Sequence, residues 1–448
     1  MRHWFKDRHF KSLLKNSGYL AVSKAVAAVA ALATLAFAGR SLGLVMFGML
    51  ILITSYTKAA SGLSKFQSWQ LIVRYGGQAL ESGENREFKA STGFGLALDV
   101  VSGFGGMILA ILLLPLIGGW FGIEDRYLIP AMLYCTLLPT MGAAVPVGVL
   151  RSLDRFDLLS WQGTVTPIAR AILSAIAWWL DAPFEAFLAI WYVTDLGGDV
   201  FLWFLGWREL KRRDLIKGIR PTLKPKDLPG AWRFAIHVNL NSSLMAAWGP
   251  IARLIIGGLV GPAAAGIYRV AASLADSAQK PADLLARAYY PEIVRMDLRT
   301  KRPWKLMFRA ATLAASVGVA AVLVLALAGR PLIDAIFGEE FLAAYPVLLI
   351  LILAPLLGMI SFPLPSTLYA LDRPDAPLRS RLLGIVTYFI IVAPLTLRFG
   401  VTGAAAAYVI GFAVMVLALI TYLRGEYGRT RGPGSRAAEL SDPPSEPL

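Results

Sequence analysis

The 448-residue sequence contains one cysteine, Cys135, and three histidines, His3, His9 and His237. That excludes a disulfide framework and a His/Cys metal cluster, so neither a metal nor a cofactor is expected. Charge is also scarce: Asp, Glu, Lys and Arg make up 16% of the chain against 56% apolar residues. This balance excludes a soluble globular protein. No polar stretch is long enough to form a soluble domain between the apolar runs.

What is present is a series of apolar segments of spanning length, which is about 20 residues. The runs are roughly 18–38, 46–70, 93–117, 127–149, 161–180, 184–206, 234–259, 265–289, 308–328, 341–369, 382–397 and 401–423. The predicted fold is therefore an all-α integral membrane protein of twelve transmembrane helices. Basic Met1–Lys15 followed by an apolar run ending Ala36-Phe37-Ala38-Gly39 mimics a cleavable signal. Its length, and the recurrence of its surroundings later in the chain, argue against cleavage.

The +15 net charge fixes an orientation. With the N-terminus inside, 31 of the 44 Lys and Arg fall in cytoplasmic segments and nine within spans. Only Arg40, Arg126, Arg330 and Arg398 lie outside. This is the positive-inside pattern, with both termini cytoplasmic.

The chain also repeats itself. Gly43 and Gly48 recur as Gly261 and Gly266, and Leu153-Asp-Arg-Phe-Asp157 recurs as Leu371-Asp-Arg-Pro-Asp375, both at an offset of 218 residues. Pro115-Leu-Ile117 with Phe121-Gly122 and Glu124 recurs as Pro331-Leu-Ile333 with Phe337-Gly338 and Glu340, at an offset of 216. Six helices per copy is an even number, so both copies enter the membrane in one direction. They are expected to form two six-helix lobes related by a pseudo-twofold along the membrane normal. The resulting domains are a basic cytoplasmic N-terminus (1–17), an N-lobe (18–207), a basic cytoplasmic linker (208–233), a C-lobe (234–423) and a disordered cytoplasmic tail (424–448). The linker reads first as a topogenic loop, with a lipid-headgroup site as the alternative.

Charges inside apolar runs are costly and mark candidate sites. The segment Arg253–Arg287 carries Arg253, Arg269, Asp276, Lys280, Asp283 and Arg287. Lys24, Lys58, Lys65, Arg170, Arg253 and Arg269 have no obvious acid nearby in sequence and suggest a cationic cavity suited to a diphosphate. The 218 offset superposes Lys58 on Asp276 and Lys65 on Asp283, which suggests inter-lobe gate pairs. Local pairing of Asp276 with Lys280 and of Asp283 with Arg287 competes with that reading. Asp195 and Asp99, with Asp199, are candidates for coupling a proton or sodium ion.

Four stretches carry a family resemblance: Ala38-Gly-Arg-Ser-Leu-Gly-Leu-Val-Met-Phe-Gly48, Leu259-Val-Gly-Pro-Ala-Ala-Ala-Gly-Ile-Tyr268, Ile336-Phe-Gly-Glu-Glu-Phe341 and Phe399-Gly-Val-Thr-Gly-Ala-Ala-Ala-Ala407. With them the chain resembles polysaccharide or oligosaccharide flippases of the Wzx type, in the multidrug/oligosaccharidyl-lipid/polysaccharide (MOP) exporter superfamily. The resemblance covers roughly residues 10 to 425. It implies a V-shaped cavity lined by helices 1, 2, 7 and 8, and alternating access for an undecaprenyl-pyrophosphate-linked oligosaccharide at the bacterial inner membrane. It implies a non-enzymatic role in building O-antigen, capsule or exopolysaccharide. The implied partners are the lipid-linked glycan, the bilayer and other polysaccharide-assembly proteins, not nucleic acid. The rivals are a membrane-embedded glycan polymerase or ligase, which would need a larger external loop, and a small-molecule antiporter, which an acidic cavity would favour.

Overall fold

The computed structural model describes residues 8–81, 85–296, 300 and 302–430, and its described secondary structure is helical throughout. The expected tail from 431 onward and the first seven residues lie outside the described residues. Six described helical runs are long and apolar enough to cross a membrane. In the run over 302–337 only 11% of the most apolar window is buried. Leu327 within it is 82% exposed. So apolar a surface is stable against lipid tails and not against water.

By contacts the chain divides into two compact units, Met1–Gly266 and Ile267–Leu448. In the first, α1 (Arg8–Ser64) is two helices joined at Gly43, whose φ of 66° and ψ of 176° only glycine adopts without strain. Then come α2 (Ser68–Leu71), a π-turn over Ile72–Gly76, α3 (Gly77–Glu81) and α4 (Asn85–Ile117). These are followed by α5 (Leu128–Cys135), α6 (Ala144–Ser152), α7 (Phe156–Trp179), α8 (Phe184–Arg212) and α9 (Ala231–Val260). The core holds Leu71, Ile72, Phe88, Phe94, Leu98, Val145 and Val149, contributed by the π-turn and its neighbouring helices.

The unit boundary falls after α9, not in the basic linker, because α9 packs closely on α1. A Cβ on Gly62 would meet the Ala247 amide at 3.1 Å, and one on Gly257 would meet Leu52 Cδ2 at 2.3 Å. Small residues let helices approach this closely in a membrane. Gly48 is tighter still, with a virtual Cβ only 1.9 Å from the Pro262 carbonyl oxygen, and the virtual Cβ of Gly266 lies 3.3 Å from Gly48 Cα. The two repeat-related glycines thus lie against each other.

The second unit holds most of α10 (Pro262–Val294), then α11 (Arg302–Phe337), α12 (Ala344–Leu351), α13 (Leu353–Ser361), α14 (Pro363–Ala370) and α15 (Asp375–Thr430). α15 is again two helices, joined at Gly400 with φ 62°. They cross where the virtual Cβ of Gly384 comes 2.6 Å from the Gly411 carbonyl oxygen.

The sequence repeat has backbone and side-chain counterparts in each copy. Gly43 and Gly261 share positive φ, at 66° and 113°, and Asp154 and Asp372 sit at φ 56° and 57°. After the first aspartate, Arg155 bonds Asp157 at 2.8 Å and also pairs with Glu209. After the second, Arg373 reaches Asp375 at 3.3 Å and pairs with Glu426. The Leu-Asp-Arg-x-Asp turn therefore ties the start of one helix to the end of the next. Hydrogen bonds from Arg155 hold the Asp157 carboxyl below the usual carboxylate range.

Candidate functional site: a broken helix ringed by charge

The expected continuous span over 127–149 is interrupted. α5 stops at Cys135, the chain turns through Thr136–Ala143, and α6 starts at Ala144. Pro139 lacks an amide hydrogen and disfavours helix in the residue before it. Gly142 and Ala143 then take φ of 78° and 34°. A break in a spanning helix exposes backbone groups that lipid cannot satisfy, so side chains must.

They do so with charge. Lys65, 5% exposed, points its ammonium at the Pro139 carbonyl, 3.1 Å away, and at that of Met141, 2.5 Å away. Asp99, 2% exposed, accepts from the Val145 amide at 3.2 Å and from Ser68 Oγ at 2.7 Å. Asp199 lies near the Gly142 amide and within electrostatic reach of Lys65. Donors of the break thus meet carboxylates, and acceptors meet the lysine.

Next to this sits a second group. Arg170 on α7 pairs with Asp195 on α8, and its Nε donates to Thr194 Oγ1 at 2.7 Å. Tyr134 donates its hydroxyl to Asp195 at 2.7 Å, and Lys58 lies within electrostatic reach of the same carboxylate. Thr136 and Tyr192 complete the ring through hydroxyls 2.9 Å apart.

Two sequence expectations change here. Arg170, grouped with cations lacking a nearby acid, has one, on the following helix and 25 residues away in sequence. Lys65, assigned to a cavity and to a gate with Asp283, has its ammonium engaged by two carbonyls of its own unit. The Asp283, Lys280 and Arg287 side chains lie outside the described residues. Asp195 and Asp99, read as ion-coupling candidates, are hydrogen-bonded parts of this network.

The remaining cations are placed as follows. Arg253 on α9 is partly buried, and its Nε donates to Ser55 Oγ on α1 at 2.8 Å. Lys24 and Lys58 on α1 are exposed. In the second unit Arg269 is partly buried, and both it and Tyr408 lie within electrostatic reach of Asp276. Among the described residues no group of His, Cys, Asp and Glu could hold a metal ion. Sequence reasoning missed Tyr134, Thr194 and Ser68, which nothing local distinguishes. It also missed the break itself, although Pro139 and Gly142 inside an apolar run signalled it.

Residues 13–297 match the family described as "Polysaccharide biosynthesis protein". The chain belongs to this family. A curated relative in Escherichia coli, inner membrane protein YghQ, is 37% identical over 350 residues, covering 78% of this chain and 99% of the relative. Among solved structures, an inward-facing multidrug resistance MATE family transporter of the MOP superfamily aligns with a TM-score of 0.71 at 16% identity, covering 90% of this chain and 96% of that one. Lipid II flippase MurJ in an inward closed conformation aligns at 0.69 and 12% identity, covering 95% and 93%. This member of the polysaccharide biosynthesis protein family therefore has the all-helical fold of MOP-superfamily membrane transporters, and it carries the broken-helix network within that fold.

Proposed function

We propose that the protein is a flippase that moves a polyprenyl-diphosphate-linked oligosaccharide across the bacterial cytoplasmic membrane by alternating access, for assembly of a surface polysaccharide. The observation that carries this reading is the family match over residues 13–297 on a MOP transporter fold. The polysaccharide biosynthesis family match, together with a fold shared with the lipid II flippase MurJ, supports a lipid-linked glycan over a soluble drug. The inner-membrane designation of the E. coli relative supports the location.

On this reading the chain crosses the membrane twelve times with both termini cytoplasmic. The glycines at 43 and 400 divide two helical runs that are too long for one crossing. The run Lys24–Gly76 has 53 residues. At about 1.5 Å per residue it would be far longer than a bilayer core of about 30 Å.

Arg253, its guanidinium oriented by Ser55, is the diphosphate contact of the first unit, and Lys24 and Lys58 add positive charge at exposed positions of the same unit; Arg269 is the candidate contact of the second unit. Lys65 and Arg170 serve the broken helix instead. Outward movement of a diphosphate is assisted by an inside-negative potential, by about 2.3 kcal/mol per charge per 100 mV.

The test is binding of a short-chain polyprenyl-diphosphate oligosaccharide to the purified protein, read by native mass spectrometry. Binding is expected in the wild type, weakened about tenfold or more in Arg253→Ala and partly restored in Arg253→Lys. Equal binding by all three would remove Arg253 from the site.

A further inference from the structure

A second polar feature of the first unit lies apart from the broken helix. It is a cavity of about 710 Å³, bordered by Leu80 and Asn85, by Arg151, Ser152 and Asp154 around the end of α6, and by Arg213 just past α8. The volume is within the usual range for small-ligand sites.

Arg151 is the informative residue. Its guanidinium carbon stacks 4.0 Å from the Trp69 ring centroid, which fixes the plane of the fork. Its Nε is buried and has no hydrogen-bond partner. A buried, unsatisfied donor on a cation is uncommon and calls for an acceptor. Arg213, by contrast, is engaged: its Nη2 donates to the Leu153 carbonyl at 3.3 Å and its Nε lies 3.8 Å from Glu209. It lies within the linker Arg208–Arg233, which holds nine Lys and Arg.

The repeat shows that the fold does not require this arginine. One offset of 218 residues later the same turn has Tyr369 in its place, stacked edge-on against Tyr290 with ring centroids 6.5 Å apart. The Arg-Asp latch recurs in both copies, whereas Arg151 does not.

We propose that this cavity binds a phosphoester that bears hydroxyl groups, such as the glycerol-phosphate headgroup of an anionic lipid. A planar arginine fork suits phosphate oxygens. Asn85 offers a neutral donor; the Ser152 hydroxyl, which donates to the Ile72 carbonyl at 3.5 Å, can accept; and the Asp154 carboxylate would repel a bare phosphate but can accept from a hydroxyl one or two bonds beyond it. The source is either a membrane lipid or a soluble phosphoester, and the two share this chemistry.

The test uses the full-length protein in a neutral detergent, titrated by calorimetry with dihexanoyl phosphatidylglycerol, glycerol 3-phosphate, inorganic phosphate and dihexanoyl phosphatidylcholine. Phosphatidylglycerol is expected to saturate one site, to bind better than phosphatidylcholine, and to lose tenfold or more in affinity in Arg151→Gln, while Tyr369→Gln leaves it unchanged. Competition by glycerol 3-phosphate at similar affinity would support the site with a soluble source. Its failure to compete would support the site with a lipid source. If Arg151→Gln does not fold, Arg213→Gln carries the same comparison. Absence of saturable binding by either phosphoester, tighter binding of inorganic phosphate than of both, or equal affinity in wild type and folded arginine variants would overturn the proposal.

Discussion

Replacing Lys65 with methionine tests the broken helix directly. The aliphatic stem is largely preserved, so packing changes little, but the ammonium that serves the Pro139 and Met141 carbonyls is gone. A buried acceptor left without a donor costs about 1–3 kcal/mol. Two of them give about 2–6 kcal/mol, before any cost of removing a cation that Asp99 and Asp199 both sense. Water reaching the break would offset part of this, so the lower half of the range is the expectation. The assay is reversible unfolding by SDS titration in mixed micelles, with Lys24→Met as a control at an exposed lysine, expected to change stability by less than about 0.5 kcal/mol. If Lys65→Met were as stable as the control, Lys65 would not be holding the break.

Three further outcomes follow from the geometry. Arg170→Ala takes from Asp195 its paired cation, leaving the Tyr134 hydroxyl and the more distant Lys58; it is expected to destabilise by up to about 3–5 kcal/mol, with the double variant Arg170→Ala/Asp195→Asn recovering part of the loss in the same titration. Gly48→Ala places a methyl group 1.9 Å from the Pro262 carbonyl oxygen; it should cost about 1–3 kcal/mol through overpacking, where an exposed Gly→Ala in a helix would normally be neutral or stabilising. The Asp157 carboxyl has a lowered pKa in the folded protein because Arg155 bonds it. Its contribution is therefore fully present above about pH 4 and is lost as pH falls through the lowered folded value. Because Asp157 is 48% exposed, this contribution is under about 1 kcal/mol, and Asp157→Asn should flatten the acid limb of the stability–pH curve by no more than that.

Much of this organisation is legible in the sequence. The glycines at 43 and 261 and the Leu-Asp-Arg-x-Asp turns recur at one offset because each copy needs the same positive-φ joint and the same arginine latch. Those are local requirements, and local requirements leave residue patterns. The assignment of charges was harder. Lys65 meets carbonyls 74 and 76 residues away, and Arg170 meets an acid on the next helix. Partners of that kind depend on which helix faces which, and sequence spacing does not record it. The break after Cys135 lies between these cases. Pro139 and Gly142 announce it, but a hydropathy window averages them into a continuous span. The packing of α9 with the first unit was hidden for a different reason. The basic linker looks like a boundary, while the close contacts of Gly62 and Gly257 decide where one is.

The central claim is tested most directly by transbilayer movement of a short-chain polyprenyl-diphosphate oligosaccharide in proteoliposomes, followed by its accessibility to an added impermeant glycosidase. The account predicts movement that requires the protein, quickens with a potential that is negative on the side of origin, and slows in Arg253→Ala and Arg269→Ala. Protein-independent movement, or transfer of the sugar to an acceptor without crossing of the lipid carrier, would contradict it.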